Sequence, residues 1–401
     1  MSNRSKFLLL AVSIALAAFA VVGGLNVHAA TSKSEGAYKQ IGVYSEVLSR
    51  IRSEYVEDPN LSLVTNGALH GLLESLDPNS SYLTPEEYKA YKSRKTAQKG
   101  DIGATISKRF GYADIVSVIP GSPADKAGLE DSDIIEAIDG KSTHEMSLEE
   151  IHNRIAGEPG SAVEFSIVRA RRAEPQKMSI TRTVVSIPSA TDKLLESGVG
   201  YIKVDALTKG KAQEIANRFK DVEHQGAKKL ILDLRDVSEG DANEAVAVAN
   251  LFLDHGEITY LTGQKFKRED FNADPQKAIT KLPLVVLVNG GTAGPGEIVA
   301  AAILDNARGD LLGDKTFGDG SVQKVLEMPD GAALVLSVAK YYAPDGKAIQ
   351  DAAVTPNIVV ASEEDFLDTD TTPQQAEPQK KANKPDEQLD RAIEVLKNKS
   401  S

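Results

Sequence analysis

The sequence has no cysteine and no tryptophan, and only 5% of its 401 residues are aromatic. Without cysteine the chain cannot form disulfides, thiolate metal sites or a cysteine nucleophile. The scarcity of aromatic rings disfavours an aromatic platform for binding sugars. Positive charge is also in short supply, because 46 Lys and Arg stand against 58 Asp and Glu, for a net charge of -12. Nucleic-acid binding needs clustered Lys and Arg, so no nucleic-acid partner is expected.

An uncharged, largely apolar run spans residues 7–30 and follows two basic residues near the N-terminus. With the small-residue pattern at residues 27–29, it predicts a signal peptide over residues 1–29 that is cleaved after Ala29. The alternative is an uncleaved N-terminal anchor, because an apolar run of this length can span a bilayer. Either way the rest of the chain is expected to be exported, to the periplasm or cell envelope. Membrane contact is expected through this segment alone.

The chain as a whole has the composition of a soluble globular protein, with 41% hydrophobic and 26% charged residues. Its length suggests two or three domains. Residues 38–95 predict helices, because apolar residues from Ile41 to Tyr55 recur with a period of about 3.6. Thr84 followed by Pro85 predicts a further helix start. This N-terminal helical region is interpreted as a scaffold, and its amphipathic helices raise the hypothesis of a homodimer.

Residues 100–185 have a different character, with short β-like runs separated by Pro-Gly and Asp-Gly turns. A helix is predicted to begin after Ser147, which has Glu150 three residues later as in a capping box. The strings Ala113–Gly128 and Asp133–Gly140 resemble the PDZ domains of bacterial envelope proteases. We therefore expect a PDZ domain of short strands and helices.

The PDZ resemblance implies a binding site for an extended peptide C-terminus. In such a site the peptide adds a strand to a sheet edge, while loop amides hold its carboxylate. The candidate peptide-binding residues are Ile102, Gly103 and Ala104. Asp101 stands where this family usually has Gly, and its carboxylate would repel that of the ligand. The alternative is a PDZ domain that serves only for interdomain packing.

Residues 190–360 alternate apolar strand-like runs with helical segments, which predicts a mainly parallel sheet covered by helices. Residues 362–385 are rich in Asp, Thr, Pro, Gln and Lys, so they are interpreted as a flexible linker. A short helix is predicted within residues 386–401. The expected fold class is thus α/β and multidomain.

Several strings in the chain carry a family resemblance, namely Leu76–Leu83, Leu230–Arg235, Gly296–Val299, Lys315–Gly318, Gly320–Gln323 and Pro344–Gln350. With the order of helices, PDZ domain and core, they resemble the tail-specific, or carboxyl-terminal processing, serine protease family. That resemblance implies a crotonase-like α/β core, secretion, and cleavage of exposed apolar C-terminal tails. It also implies a Ser–Lys dyad, a Gln that orients the Lys, and an oxyanion hole of backbone amides. No cofactor is expected.

The same resemblance places the family's catalytic positions on this chain. The nucleophile position is Gly296, the base position is Asp319, and the Gln is present as Gln323. Glu239 and Gly240 are the oxyanion-loop equivalents, and Glu239 replaces a Gly. Gly296 has no nucleophilic atom, and an aspartate that is ionised at about pH 7 cannot act as a neutral amine. We therefore expect an exported pseudoprotease that binds peptide C-termini through its PDZ domain, as a scaffold or as the partner of an active relative.

Two other classes of function remain open. An active serine-type endopeptidase would need a non-standard nucleophile, for which Thr292, Ser238 and Ser321 are the nearby hydroxyls. Lys315 and Lys324 flank the base position, but nothing in the sequence directs them inward. A purely structural envelope protein would bind no tails at all.

Histidine and metal chemistry have little support in the sequence. Of the 6 histidines, His28 lies in the predicted signal peptide and the others lie outside the core motifs, on helices or loops expected to be exposed. Neither a Ser–His triad nor a histidine zinc site is therefore expected. Glu239 and Asp319 belong to a set of carboxylates that raises the hypothesis of a calcium site. Solvated loop charge is the favoured interpretation of that set.

Overall fold

The computed structural model describes residues 39–96, 99–169, 174–361 and 385–399. The predicted signal peptide and nearly all of the predicted linker lie outside these ranges. Of the helices within them, none combines the length and the apolar character needed to cross a membrane. The chain divides into two compact units, Met1–Leu69 and His70–Ser401.

The described part of the first unit is helical, as predicted. Helix α1 covers residues 39–54, and helix α2, Leu61–Glu74, begins in this unit. Apolar side chains on α1 are exposed, including Ile41 at 62% and Val47 at 49% of their surface. The homodimer hypothesis stays a prediction.

The second unit begins within helix α2 and continues with strand β1, Ser81–Leu83, and helix α3, Pro85–Thr96. The predicted helix start is confirmed as a capping box. The Glu87 amide donates to Thr84 Oγ1 at 3.3 Å, and Glu87 Oε2 accepts from the Thr84 amide at 2.8 Å. Strand β1 corrects the expectation that residues 38–95 are helical throughout. Its three residues are buried because they pair with a strand of the core.

The PDZ domain is a sheet in the order β2-β3-β4-β6-β7, with β5 paired to β4. Its strands are β2 Ala104–Arg109, β3 Tyr112–Val118, β4 Ile134–Ile138, β5 Lys141–Ser142, β6 Ala162–Val168 and β7 Gln176–Thr181. Its helices are α4 Pro123–Ala127, the 3-10 turn Thr143–Glu145 and α5 Leu148–Ile155. The predicted cap of α5 is present, because Ser147 Oγ accepts from the Glu150 amide at 3.2 Å. Strand β2 lies at one edge of the sheet.

The core contains the predicted parallel sheet, in the order β17-β14-β13-β10-β9-β8. Its strands are β8 Thr191–Leu195, β9 Val199–Lys203, β10 Lys229–Asp233, β13 Leu284–Val288, β14 Asp310–Gly313 and β17 Ile358–Val359, with a 3-10 turn at Glu196–Gly198. Its helices are α6 Lys211–His224, α7 Ala242–Phe252 and α8 Pro295–Asp305. Only β8 pairs antiparallel, at the edge. All residues of β13 are buried, as its continuous apolar run predicts.

A second core sheet is antiparallel, in the order β1-β16-β11-β12, with β15 paired to β16. Its other strands are β11 Glu257–Thr262, β12 Glu269–Asn272, β15 Ser321–Glu327 and β16 Ala333–Tyr342. The long strand β16 therefore connects β1 to the segment that begins just after Asp319. This sheet holds residues 76–83 beside the loop that contains Gly318 and Asp319, which is called the base-position loop below.

The last described helix, α9 Glu387–Lys397, packs on the parallel sheet. Ala392 and Leu396 are fully buried in a cluster with strands β9, β10, β13 and β14. At the start of the helix, Asp386 binds both terminal nitrogens of Arg235, at 2.8 and 2.9 Å. Arg235 directly precedes the oxyanion loop, so α9 anchors the strand end from which that loop departs.

We expect Leu396→Ala to detach α9. Truncating a fully buried leucine costs about 2–5 kcal/mol, which is comparable to the stability of a single docked helix. Hydrogen exchange should then become fast in residues 387–397 while the parallel sheet stays protected. Lys397→Ala is the matched control, because its side chain is exposed. Unchanged protection of α9 in Leu396→Ala would contradict this account of the docking.

Candidate functional site

A cleft of about 520 Å³ joins the PDZ domain to the core. Its PDZ wall includes Gly103 and Thr105 at the β2 edge and His152 on α5, and its core wall includes Ala293 and Asp319. The groove between β2 and α5 is where a PDZ domain receives an extended peptide. The expected peptide groove and the expected active site are thus one cavity.

The loop before α8 corrects the expected nucleophile position. A Cβ atom at Gly296 would lie 2.5 Å from the carbonyl oxygen of Val237 and 2.9 Å from Thr292 Cγ2. Real Cβ contacts do not approach backbone this closely, so Gly296 is a packing glycine without room for a side chain. A Cβ atom at Gly294 would have nothing closer than the carbonyl oxygens of Asp319 and Ser238, each at 3.8 Å. A side chain at position 294, and not one at position 296, would therefore point toward the loop that contains Asp319.

Gly294 also has an unusual backbone. It caps the N-terminus of α8 with φ 50° and ψ -110°, a conformation that residues with a Cβ rarely adopt. In a residue with a side chain this conformation is strained, and strained backbone is common at turns that expose a nucleophilic side chain in an active site. A glycine adopts this conformation without strain.

The carboxylate of Glu297 connects the start of α8 to the base-position loop. Its Oε2 accepts from the amides of Gly294 at 3.0 Å and Asp319 at 2.8 Å. Its Oε1 accepts from the Gly318 amide at 2.8 Å and from the Thr316 hydroxyl. Burial raises the pKa of Glu297 to about 8, while these donors act in the opposite direction. The side chain is completely inaccessible to solvent, so its role is to hold these two segments together.

Asp319 projects into the cleft at the base position. Burial raises the pKa of its carboxyl group, and the hydrogen bond from Asn79 acts against that rise. Asn79 Nδ2 donates to Asp319 Oδ1 at 3.1 Å and to Ser321 Oγ at 2.8 Å. Gln323 donates to the same Ser321 hydroxyl at 2.7 Å. The predicted Gln is therefore present in the cleft, but its amide is engaged by Ser321.

The oxyanion-loop equivalents lie beside the same cleft. Gly240 has φ 148°, and a Cβ there would lie 2.4 Å from the carbonyl oxygen of Leu207, so the position requires glycine. Glu239 is exposed and lines the cleft. Ser238 contacts the PDZ domain, because its Oγ donates to Thr105 Oγ1 at 2.7 Å and shares a 2.5 Å hydrogen bond with Ser117 Oγ.

The candidate replacement nucleophiles all have structural partners. The Thr292 hydroxyl is fully buried and donates to the Leu234 carbonyl at 2.9 Å. Ser238 bonds to the PDZ hydroxyls, and Ser321 accepts from two amide side chains. Across the described ranges, none of these three hydroxyls hydrogen-bonds to a lysine or a histidine. Lys315 and Lys324 are exposed.

His152 corrects the expectation that the histidines are exposed. It lines the cleft on α5, and burial lowers the pKa of its imidazole. His70 is also largely covered, with 19% of its side chain exposed. Neither was indicated by the sequence, because a histidine on a short amphipathic helix is as compatible with the outer face as with a groove.

The PDZ loop brings two of its three predicted residues to the cleft. Gly103 and Ala104 line it, whereas the Ile102 side chain is completely buried in the PDZ core. Gly103 adopts φ 79°, and its amide donates to Asp101 Oδ1 at 2.9 Å. The carboxylate of Asp101 is thus bound by an amide of the loop that was predicted to hold the carboxylate of a ligand.

Two of the site's organising residues were missed in the sequence. Glu297 and Asn79 both lie inside strings that carry the family resemblance, at Gly296–Val299 and Leu76–Leu83. Their position within those strings was the one sequence feature that could have marked them as site residues. Their hydrogen-bond partners are distant in the sequence, so their role becomes apparent only in the folded chain.

Comparison of the sequence with known proteins identifies the family of this chain. The model of peptidase family S41 matches residues 198–360, and a PDZ domain model matches residues 115–169. A carboxy-terminal-processing protease of Bartonella bacilliformis is 32% identical over 337 residues, which cover 82% of this chain and 77% of the relative. The carboxy-terminal processing protease CtpA of Bacillus subtilis is 33% identical, with coverage of 86% and 74%. The chain belongs to the carboxy-terminal processing protease family.

A solved structure of a carboxy-terminal processing protease shares this fold. The photosystem II D1 C-terminal processing protease superposes with a TM-score of 0.67 at 26% identity, covering 80% of this chain and 92% of that one. The expected fold class, a mixed α/β chain with a PDZ domain, is thereby confirmed.

We expect Glu297 to make the stability of this family member depend on pH. Its pKa of about 8 in the folded protein lies above the value of about 4.3 in an unfolded chain. The folded state therefore binds this proton more tightly. Its contribution to stability is complete below about pH 4 and is lost as the pH rises through about 8.

Glu297→Gln provides the comparison. The amide of Gln can replace the carboxyl group at Thr316 but leaves the buried Gly318 amide without an acceptor, at a cost of about 1–3 kcal/mol. Urea unfolding of both proteins from about pH 5 to about pH 9 should show the difference between them shrinking as the pH rises. The exposed Glu223→Gln is the control. A constant difference across that range would contradict the raised pKa.

Proposed function

We propose that this chain is an exported, catalytically inactive member of its family that binds polypeptide tails in the shared cleft. The observation that carries the proposal is the pair formed by Gly294 and Asp319. The side-chain direction of Gly294 faces the Asp319 loop, as a nucleophile faces its base, but neither residue supplies the required group.

The chemistry of a Ser–Lys dyad needs both missing groups. The hydroxyl must lose a proton to attack a carbonyl, and a desolvated neutral amine takes that proton. Gly294 offers no oxygen, and the carboxyl group of Asp319 is no substitute for an amine. Loss of the nucleophile alone typically removes most of the catalytic rate. Glu239 additionally brings a carboxylate to the loop where an oxyanion would form, which opposes the stabilisation of negative charge.

The parts needed for binding are retained. The β2 edge has no strand beside it within the described residues, so its backbone can pair with an extended peptide. The cleft continues from this edge to Asp319, which gives a bound tail room to extend into the former active site. The PDZ domain and the processing-protease relatives fit the binding of protein C-terminal tails.

The proposal of export rests on the N-terminal sequence. Basic residues, an uncharged apolar run and a small-residue pattern before Ala30 form the signal of a secreted protein. A homodimer and an active relative remain the predicted partners.

A tail-cleavage assay on residues 30–401 tests the proposal. The substrate is a soluble protein with a disordered apolar C-terminus, and the products are followed by mass spectrometry. We expect no product from the natural sequence, because the nucleophile and the base are both absent. Product from the natural sequence would overturn the proposal and favour an endopeptidase with a non-standard nucleophile.

A pair of double variants shows whether the rest of the cleft is competent. The double variant Gly294→Ser with Asp319→Lys places a hydroxyl and an amine at the two positions that face each other. We expect it to cleave the substrate faster than the natural sequence does. Gly296→Ser with Asp319→Lys is the matched control, because the added Cβ would collide with Val237. Activity in the control but not in the first variant would contradict the reassignment to Gly294.

A further inference from the structure

Three carboxyl groups interact at the core end of the cleft, where Asp319 and Asn79 lie. Asp319 lines the cleft, and Asp351 and Asp77 are the two acidic residues whose charges act on it. Carboxylates that repel one another compete for a proton, and the least stabilised anion takes it up first. The hydrogen bonds of the three groups therefore decide which of them becomes neutral.

Asp77 is stabilised as an anion by three donors. Its Oδ1 accepts from the backbone amide of Asn79 and from the Ser337 hydroxyl, each at 3.0 Å. Its Oδ2 accepts from the Ser80 hydroxyl at 2.9 Å. Hydrogen bonds to a carboxylate favour its charged form, so Asp77 keeps its charge.

Asp351 is stabilised by solvent and by a cation. Its side chain is 66% exposed, and its Oδ2 lies 3.5 Å from the ammonium nitrogen of Lys340. Its Oδ1 accepts from Gln350 Nε2 at 3.0 Å. Solvation and a nearby positive charge both favour the ionised form. Both acidic neighbours of Asp319 are thus better stabilised as anions than Asp319 itself.

Asp319 has a single donor. Within the described ranges, its side chain accepts one hydrogen bond, from Asn79 Nδ2 to Oδ1 at 3.1 Å. Burial raises the pKa of the carboxyl group, and the charges of Asp351 and Asp77 raise it further. No lysine or arginine lines the cleft in the part of the chain that the structure describes. Of the three groups, Asp319 therefore takes up a proton most readily.

The other charged groups of the core are engaged or point to solvent. Glu297 on α8 accepts from the backbone amide of Asp319 and not from its side chain. Glu239 on the oxyanion loop has an interaction of its own. Lys315 and Lys324, on either side of Asp319 in the sequence, are exposed. These groups leave the Asp319 carboxyl group without a counter-ion.

The charged groups of the PDZ wall have partners as well. Glu149 forms an ion pair with Arg94, and Asp101 accepts from an amide of its own loop. The guanidinium of Arg109 lies over an aromatic ring of the core. Burial lowers the pKa of His152, so its imidazole is neutral at physiological pH. The PDZ wall therefore supplies no cation that would hold Asp319 in its ionised form.

The neutral form of Asp319 changes what the core end offers to a ligand. Both hydrogens of the Asn79 side-chain amide are already used, on Asp319 and on Ser321. An ionised Asp319 has acceptors alone, whereas the protonated carboxyl group has an O–H donor. A ligand that enters the cleft displaces water and buries this group further, which favours the neutral form.

We propose that the core end of the cleft recognises a carbonyl oxygen of an extended peptide through the protonated carboxyl group of Asp319, so that binding takes up a proton from solvent. Asn79 holds Oδ1, and the O–H on Oδ2 donates to the ligand. A peptide that pairs with the β2 edge reaches Asp319 along the same cleft. This inference rests on the proposed peptide-binding function and names the ligand group that the core wall binds.

The direction of the pH dependence follows from the form that binds. The protonated protein is that form, so the affinity is complete below the raised pKa of Asp319 in the free protein and falls as the pH rises above it. At most about one proton is taken up. The dissociation constant should therefore increase by up to about tenfold for each pH unit.

Isothermal titration calorimetry on residues 30–401 measures both effects. The probe is an acetylated and amidated peptide of alanine, valine and serine, which has no group that titrates near neutral pH. We expect its binding to weaken from about pH 5 to about pH 8. Titrations in phosphate and in Tris, whose ionisation enthalpies differ, should report the uptake of up to about one proton.

Asp319→Asn separates this carboxyl group from the other titratable groups. The amide imitates the protonated acid, because its oxygen can accept from Asn79 and its nitrogen can donate to the ligand. We expect this variant to bind at about pH 8 as tightly as the natural sequence binds at about pH 5, with no proton uptake. The exposed Glu223→Gln on α6 is the control and should keep the full pH dependence.

The outcomes separate this inference from the proposed function. Peptide binding that is independent of pH, or that strengthens as the pH rises, would overturn the inference while leaving a tail-binding protein. Full pH dependence in Asp319→Asn would also overturn it, because the proton would then belong to another group such as Glu297 or His152. Absence of peptide binding at every pH would overturn the proposed peptide-binding function as well.

Discussion

The arrangement of the cleft depends on one buried carboxylate. Glu297 accepts hydrogen bonds from the first turn of α8 and from the loop that contains Gly318 and Asp319. The amides of Gly294, Gly318 and Asp319 all take their acceptor from this one side chain, beside a backbone hydrogen bond from Phe317 to the Thr292 carbonyl at 2.9 Å. An unpaired amide in this interior would cost about 1–3 kcal/mol. The geometry of the nucleophile and base positions is therefore maintained by a residue that takes no part in the chemistry.

Because the supporting residue is separate from the two facing positions, the geometry of the site can be kept whichever residues stand at Gly294 and Asp319. A serine at Gly294 would carry backbone strain, and a neutral lysine at Asp319 would have to be desolvated. Glycine removes the first cost, and Asn79 stabilises the aspartate through a hydrogen bond. Active sites commonly reduce stability for the sake of function. With glycine and aspartate at these positions the fold is therefore intact, and Glu297 and Asn79 still bind the segments around them.

Much of the fold could be predicted from local sequence signals, but the side-chain directions of the site could not. The caps at Thr84 and Ser147 and the apolar run of β13 are local features, and all three are present in the structure. Gly294 and Gly296 are equivalent in the sequence, because both flank Pro295 in a glycine-rich loop. The folded chain distinguishes them, because Val237 and Thr292 pack against Gly296 while Gly294 caps the helix with a positive φ. The burial of Ile102 and the position of His152 likewise depend on contacts between segments distant in the chain.

The contacts between the PDZ domain and the core give the cleft a further property. Ser238 joins strand β2 to the oxyanion loop, and the guanidinium of Arg109 lies 5.1 Å from the ring centre of Phe317, just before the base-position loop. A peptide that pairs with the edge of β2 therefore lies on an element bonded to both catalytic loops. In an active protease, this linkage would couple ligand binding to the geometry of the reactive groups. In this chain Gly294 and Asp319 stand at the two positions, and under the proposed function the same contacts would keep the two walls of the cleft in register.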